Sequence, residues 1–218
     1  MRAPAALLGL ALAFPASGGT VTGTVSVLEK DGRNASDLSD VVVWVDGVKV
    51  KPKPTTVRVA MRAKSFTPHV VVVALGGSVE FPNDDPLFHN AFSVSGENHF
   101  DLELYKRPKS GSWTPVAPGI VRVFCNIHPQ MSAIVVVRDN PYFAKANGDG
   151  SFVIEGVPAG KYALKAWHER GGEGSLDISV PVEGQAGAQL VLDASSFKRA
   201  QHKNKFGKDY SASGADKY

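Results

Sequence analysis

The chain has 218 residues, of which 43% are hydrophobic and 21% are charged, a composition typical of a globular protein with room for one large or two small domains. The formal net charge is +3, and residues 194–218 alone hold six Lys/Arg and two Asp/Glu, so the rest of the chain is close to neutral. This balance gives no reason to expect a nucleic-acid partner. The 22 glycines and 14 prolines indicate many turns.

Residues 1–18 are typical of a secretory signal peptide. Arg2 supplies the positive start, an apolar run follows over residues 3–14, and small residues precede a cleavage position near Gly18. A buried N-terminal helix is the alternative. The run is too short to span a bilayer, and no later segment is long and apolar enough. We therefore expect a periplasmic or secreted protein without stable membrane insertion.

Short β-branched runs separated by Gly, Pro and Asp-Gly turns predict an all-β fold. Residues 51–54, Lys-Pro-Lys-Pro, are typical of a linker, and residues 95–119 of a long polar loop. The basic residues 194–218 are poor in aliphatic side chains, which predicts a flexible tail. Strands are predicted at residues 21–27, 41–45, 57–61, 70–74, 78–81, 91–94, 120–125, 133–137, 151–154, 161–167, 176–182 and 189–192.

The only cysteine lies in a run of metal-ligand residues. Cys125, His128 and Met131 recur at three-residue intervals, and His89 lies 36 residues before the cysteine. Two imidazoles, one thiolate and a weak thioether are the ligand set of a blue-copper site. A lone thiol in an exported protein is unusual, and metal ligation explains it. The sequence thus predicts one copper ion, Cu(II)/Cu(I), held by these four residues, although a soft site of this kind also accepts zinc.

The surrounding sequence resembles the cupredoxins in order and spacing. The resemblance lies in residues 63–68 (Ala-Lys-Ser-Phe-Thr-Pro), residues 76–85, the pair His89-Asn90 and the Cys-His-Met loop. That loop is short, similar to the loop of amicyanins and shorter than the loop of plastocyanins. The resemblance covers roughly residues 55–137. It implies a Greek-key cupredoxin sandwich with the same four copper ligands.

A second pattern lies outside this region. Residues 149–164 resemble the carboxypeptidase regulatory-like modules, which are small transthyretin-like β-sandwiches, and residues 20–27 and 41–47 resemble the opening strands of such a module. We therefore expect an insertion. In this arrangement residues 19–52 and 141–193 form one small sandwich, residues 53–140 form the copper domain inside it, and residues 194–218 form the tail. The alternative is that residues 19–52 add strands to the copper domain.

Other polar residues are assigned lesser roles. His69 is expected at the surface, and His99, in the polar loop, is a weaker candidate for a position near the site. Asp84 and Asp85 are expected to be solvated turn residues. Residues 167–169, Trp-His-Glu, end a strand and are expected to serve packing or the surface.

The resulting hypothesis is an electron carrier and not an enzyme, because four ligands leave no open position for a substrate. The two-part arrangement is similar to that of bacterial methylamine-utilisation-type cupredoxin proteins, and the expected partner is a redox protein, either a cytochrome or a dehydrogenase. Asn90 and Asn126 are expected to bond to the thiolate or to lock the two ligand loops. The resemblance also implies that His128 lies near the surface among apolar residues (Phe88, Pro129 and Phe92). Copper delivery or partner binding without electron transfer is the alternative.

Overall fold

The computed structural model describes residues 18–198 and 201–210, and over these residues it confirms the all-β prediction. The predicted signal peptide lies outside the described residues, except for Gly18. None of the described helices is long and apolar enough to cross a membrane. The one short 3-10 helix spans Gly96–Asn98, and the strands are β1 (Gly19–Leu28), β2 (Val42–Asp46), β3 (Thr56–Arg58), β4 (Ala60–Arg62), β5 (Ser65–Thr67), β6 (Val70–Ala74), β7 (Ser78–Pro82), β8 (Phe92–Ser93), β9 (Phe100–Asp101), β10 (Ser110–Trp113), β11 (Gly119–Phe124), β12 (Ser132–Arg138), β13 (Phe143–Lys145), β14 (Ser151–Val157), β15 (Gly160–His168), β16 (Gly172–Val180) and β17 (Gln185–Asp193).

Among the described residues, each sheet uses strands from only one of two parts of the chain. Strands before residue 53 and after residue 140 form the sheets β14-β1-β17 and β13-β2-β15-β16. Strands between these positions form the sheets β6-β12-β11-β8-β9 and β10-β7-β3 and the hairpin β4-β5. We call residues 19–52 with 141–193 the outer unit, and residues 53–140 the inner unit.

Each unit encloses its own hydrophobic core. The outer core lies between the two outer sheets and includes Val25, Val43, Leu164 and Leu192. The inner core lies between the inner sheets and includes Phe81, Val123, Cys125 and Met131. We propose that the two cores correspond to two folding units, with the inner unit inserted into the outer one.

The contact between the units depends on two strands that are buried on both faces. Along β12, Ala133, Val135 and Val137 point into the inner core, whereas Ile134 and Val136 pack against the outer unit. Along β2, Val43 and Val45 point into the outer core, whereas Val42 and Trp44 face the inner unit. Successive side chains of a strand point to opposite faces, so a continuous valine run is stable only where both faces are covered.

Polar contacts surround this apolar interface. Residue His69 of the inner unit lies 2.8 Å from a carboxylate oxygen of Glu169 in the outer unit, and Arg122 lies 3.3 Å from the other oxygen. Lys145 donates to the carbonyl oxygen of Val70 at 2.8 Å and to Asp40 at 3.1 Å. His69 is half-buried. The sequence predicts a surface position for this residue, and the structure adds its contact with Glu169 of the outer unit.

The predicted polar loop differs from the structure, because residues 95–119 contain β9, β10 and the 3-10 helix. Within the region for which the sequence predicts a flexible tail, Ala194 is buried in the outer core and residues 201–210 lie against the 125–131 loop. The tail contacts consist of ring stacking and hydrogen bonds. A low content of aliphatic side chains does not exclude such contacts. Residues 199–200 and 211–218 lie outside the described residues.

The insertion is tested by deleting residues 53–140 and joining the flanks with a short Gly/Ser segment. We expect a soluble outer unit that unfolds cooperatively on heating, because its core includes no residue of the deleted part. Its melting temperature should fall, because the deletion exposes Val42, Trp44 and Trp167. A chain without cooperative unfolding, measured by circular dichroism and calorimetry, would contradict the two-unit arrangement.

The His69–Glu169 contact predicts a pH-dependent contribution to stability. The hydrogen bond with Glu169 raises the pKa of His69, although burial opposes the shift. Stabilisation from such a pair is fully present below the unfolded-state pKa and is lost as pH rises through the higher folded-state pKa. His69→Gln should therefore cost more unfolding free energy at about pH 5.5 than at about pH 8.5, with a difference below about 1 kcal/mol because both side chains are partly exposed.

Urea unfolding at the two pH values measures this difference. The exposed His99, which faces only the carbonyl oxygen of Gly96, provides the control variant His99→Gln. An equal loss of unfolding free energy in His69→Gln at both pH values would show that the His69–Glu169 contact does not depend on the protonation of His69.

Candidate metal centre

The structure brings together three of the four predicted ligands. The side chains of His89, Cys125 and His128 are all buried, and their donor atoms lie within 4.8 Å of one another. The Nδ1 atoms of the two imidazoles are 3.0 Å apart, and the Cys125 Sγ lies 3.7 Å from Nδ1 of His128. The predicted imidazole and thiolate donors come from two distant loops. The structure brings their side chains together in one cluster.

His89 is fixed through its backbone. Its N–H donates to the carbonyl oxygen of Tyr105 at 3.1 Å, and the N–H of Tyr105 donates back at 2.9 Å. The Asn83 side chain donates to the carbonyl oxygens of Leu87 and Tyr105, both at 2.9 Å, so it closes the loop that precedes the histidine. The Tyr105 hydroxyl in turn donates to the carbonyl oxygen of Phe81 at 2.6 Å. The loop is thus tied to β7 of the inner sheet.

The ring of His89 is oriented by Asp85. The imidazole Nε2 lies 2.8 Å from Oδ2 of Asp85, and Nδ1 faces His128. The same carboxylate accepts the backbone N–H groups of Ala63 and Lys64, at 2.8 and 2.9 Å. Burial raises the pKa of Asp85, but the hydrogen bonds from Lys64, His89 and Ala63 outweigh it, so the net shift is downward. Asp85 therefore holds the imidazole in the tautomer that leaves Nδ1 free of a proton.

Asp85 is not the solvated turn residue that the sequence predicted. It is 8% exposed, whereas Asp84 forms an ion pair with Arg62 at the surface. The difference arises because Ala63 and Lys64 adopt left-handed backbone conformations, with φ near +50°, which turn both N–H groups toward one carboxylate. Nothing in the order Asn-Asp-Asp distinguishes the two acids.

The 125–131 loop is a compact turn between β11 and β12. The Cys125 N–H donates to the carbonyl oxygen of Met131 at 3.3 Å, and the Met131 N–H donates to that of His128 at 3.0 Å. Met131, the last residue of the loop, is fully buried in the inner core. These bonds turn the cysteine and His128 side chains to the same side.

Asn90 connects the two loops. Its side-chain oxygen accepts the Asn126 N–H at 2.7 Å, and its side-chain nitrogen donates to Asp101 at 3.1 Å. The expectation that Asn90 and Asn126 lock the loops together is confirmed. Burial raises the pKa of the Cys125 thiol, and the backbone N–H groups of Asn90, Ile127 and His128 partly offset this effect. These donors favour a thiolate, which is the form that binds a metal.

His128 differs from its expected position near the surface. It is 1% exposed, and residues on either side of it contact the segment 201–210. Of the apolar residues expected around it, Phe88 and Pro129 are exposed, whereas Phe92 is 2% exposed.

The other predicted candidates lie elsewhere. His99 is exposed and does not approach the cluster. His168 and Trp167 are both buried, and Trp167 packs at the contact between the units, so the expected packing role is confirmed. Burial lowers the pKa of His168. Three residues support the site through hydrogen bonds to His89 or its loop, and the sequence did not predict them as site residues: Asp85, Asn83 and Tyr105.

Comparisons with known proteins identify similar solved structures. A scan against protein-family models and a search of curated proteins find no match. A Cu-containing nitrite reductase from Thermus scotoductus SA-01 is 30% identical over 44% of this chain and 25% of the other chain, with a TM-score of 0.37. A purple cupredoxin from Nitrosopumilus maritimus is 18% identical over 37% of this chain and 98% of its own, with a TM-score of 0.34. A reduced amicyanin variant is 24% identical over 38% of this chain and 82% of its own, with a TM-score of 0.35.

These similar structures are cupredoxins or a copper enzyme, and each matches less than half of this chain. This chain spans a quarter of the length of the nitrite reductase chain. The chain is thus an all-β protein with cupredoxins among its structural neighbours and a buried His-Cys-His cluster.

Asp85→Asn tests the network around His89 without any metal. An amide presents an NH₂ group where the carboxylate accepts three N–H donors, so one donor loses its partner. We expect a loss of about 1–3 kcal/mol of unfolding free energy in the metal-free protein. The neighbouring Asp84→Asn, which removes only a surface ion pair, should cost less than about 1 kcal/mol. Urea unfolding compares the two variants, and equal costs would contradict the special role of Asp85.

Proposed function

We propose that this chain is an exported type 1 (blue) copper protein that carries single electrons between redox partners. The observation that supports this proposal is the buried cluster of two imidazoles and one thiol, with donor atoms within 4.8 Å of one another. Hard cations such as Mg²⁺ or Ca²⁺ prefer oxygen ligands, whereas this donor set suits copper or zinc. A bound copper ion supplies the one-electron couple Cu(II)/Cu(I).

In the proposed site His89, Cys125 and His128 are the strong ligands, and Met131 is the weak one. Asp85 holds Nε2 of His89, so that Nδ1 is presented as the donor. Cys125 loses its proton when the metal binds, because only the thiolate is a ligand. Met131 is proposed as the weak ligand because it ends the loop that holds Cys125 and His128, and its backbone N–H donates to the carbonyl oxygen of His128.

The protein contributes rigidity. The donors belong to two loops that are joined by Asn90 and tied to β7 through Tyr105. The backbone N–H groups of Asn90, Ile127 and His128 lie near the sulfur. An electron carrier needs such a site, because rearrangement of ligands between the two states slows electron transfer.

The proposal treats the chain as an electron carrier and not an enzyme, since four protein ligands leave no position for a substrate. One structural neighbour is named as a nitrite reductase, so the distinction between a carrier and an enzyme needs a test.

The proposed location is the periplasm or the cell exterior, because residues 1–18 are typical of a secretory signal peptide. The proposed partner is a redox protein, either a cytochrome or a dehydrogenase.

Loading the purified protein with Cu(II) tests this function. We expect an intense blue or green colour that ascorbate bleaches and reoxidation restores. Cys125→Ser should abolish the colour, because the intense absorption requires the thiolate–copper bond, whereas Met131→Leu should keep a colour with a shifted reduction potential.

Absorption spectroscopy and voltammetry measure both outcomes, and the exposed His99→Gln serves as a control. A coloured Cys125→Ser variant would refute the assignment. A reversible colour with rapid loss of copper to chelators would favour copper delivery. Catalytic reduction of nitrite by the loaded protein would contradict a pure carrier.

A further inference from the structure

The outer surface of the 125–131 loop is covered by another part of the chain. Residues 201–210, which we call the C-terminal segment, lie across it. The His202 ring stacks on Phe124, with centroids 4.0 Å apart and planes inclined by 18°. Its Nε2–H donates to the carbonyl oxygen of Pro129 at 2.7 Å. The Tyr210 hydroxyl donates to the carbonyl oxygen of Cys125 at 2.9 Å.

Lys205 anchors the middle of the segment. Its backbone N–H donates to the Asn126 side-chain oxygen at 3.0 Å. Its ammonium group lies 2.6 Å from Asp101 and 3.0 Å from Glu103. Asp101 also accepts a hydrogen bond from Asn90, the residue that joins the two ligand loops. The segment thus contacts the loop and the network behind it through one ring stack, two hydrogen bonds to backbone carbonyl oxygens, one hydrogen bond to the Asn126 side chain and one cation between two carboxylates.

The segment is organised as a turn before it meets this surface. The side-chain oxygen of Asn204 accepts the N–H groups of Phe206 and Lys208, at 3.0 and 3.1 Å. Gly207 adopts φ +72°, a conformation that favours glycine. An ion pair between Lys203 and Asp209 closes the turn. The side chains of His202, Lys205 and Tyr210 consequently face the body of the protein together.

The charges of the two surfaces are complementary. The segment is basic, whereas the surface beneath it offers two carboxylates and the carbonyl oxygens of Cys125 and Pro129. Each contact is individually weak, and salt screens the ion pairs, so the segment can detach while the units remain folded.

We propose that the face formed by Phe124, Asn126, Pro129, Asp101 and Glu103 is a recognition surface for a basic, ring-bearing peptide segment, and that residues 201–210 of the same chain occupy it in the free protein. While docked, the segment keeps other proteins from the outer surface of the 125–131 loop. A redox partner that uses this face must first displace it. This last consequence rests on the proposed electron-carrier function, whereas the docking itself does not.

The test uses the full-length protein with Lys205→Glu, which places a negative charge against Asp101 and Glu103. The matched control is Lys208→Glu. It makes the same charge change in the same segment, at an exposed lysine for which the described residues show no ion pair. Amide hydrogen exchange over residues 201–210, followed by mass spectrometry, reports docking directly.

We expect protection of the segment in the wild-type protein and in Lys208→Glu, and exchange faster by about tenfold in Lys205→Glu. Raised salt should speed exchange in the wild type. Equal exchange in all three proteins, or an unprotected segment in the wild type, would overturn the proposal.

A second measurement tests the covering role. In the Cu(II)-loaded protein, one electron passes from hexaammineruthenium(II) to the copper, giving hexaammineruthenium(III) and Cu(I). Reduction should be faster in Lys205→Glu than in Lys208→Glu by about the same tenfold factor, although both have the same net charge. Equal rates would overturn the covering role. Failure of all three proteins to bind copper would refute the proposed function alone, since hydrogen exchange still decides whether the segment docks.

Discussion

The hydrogen bond between the Asn90 side chain and the Asn126 backbone is the contact on which the site depends most. His89 and Cys125 belong to loops separated by 36 residues in sequence, and their donor atoms must meet inside a core of valine and phenylalanine. Burial of three polar side chains is costly unless each has a partner. The Asn90 side chain joins the two loops, and the Asp85 carboxylate orients the His89 ring. Contacts within the chain therefore bring the three side chains of the cluster together.

The side chains of the cluster are held by the structure around them. Burial raises the pKa of the Cys125 thiol, and the Nδ1 atoms of His89 and His128 lie within hydrogen-bond distance, 3.0 Å apart. Such an arrangement is stable only because the backbone around it is tied at several points: Tyr105 to Phe81, Met131 to His128 and Asn83 to Leu87. A site with fixed donors binds an ion without a large change in the chain, which agrees with electron transfer better than with release of the metal.

Much of this arrangement was predictable from the sequence. The strands with continuous valine runs, such as residues 70–74 and 133–137, were found because buried strands have a clear composition. The four candidate ligands were found because their residue types and spacing are unusual. Strands β5, β9, β10 and β13 were missed because they are short and hold few β-branched residues. Asp85 was missed because its role depends on left-handed residues at positions 63 and 64, which no local pattern indicates. The docked tail was missed because its anchors are spread over loops far away in sequence.

Strand β12 places the metal loop and the outer unit on one piece of backbone. It begins one residue after Met131, and its alternate side chains enter both cores. The outer unit, which contributes no ligand, thereby supports the base of the loop through Trp44 and Trp167. Without the outer unit, the apolar side chains of Ile134 and Val136 on the rear of this strand would be exposed to water. The outer unit thus shields the strand that follows the 125–131 loop, although the residues of the His-Cys-His cluster all belong to the inner unit.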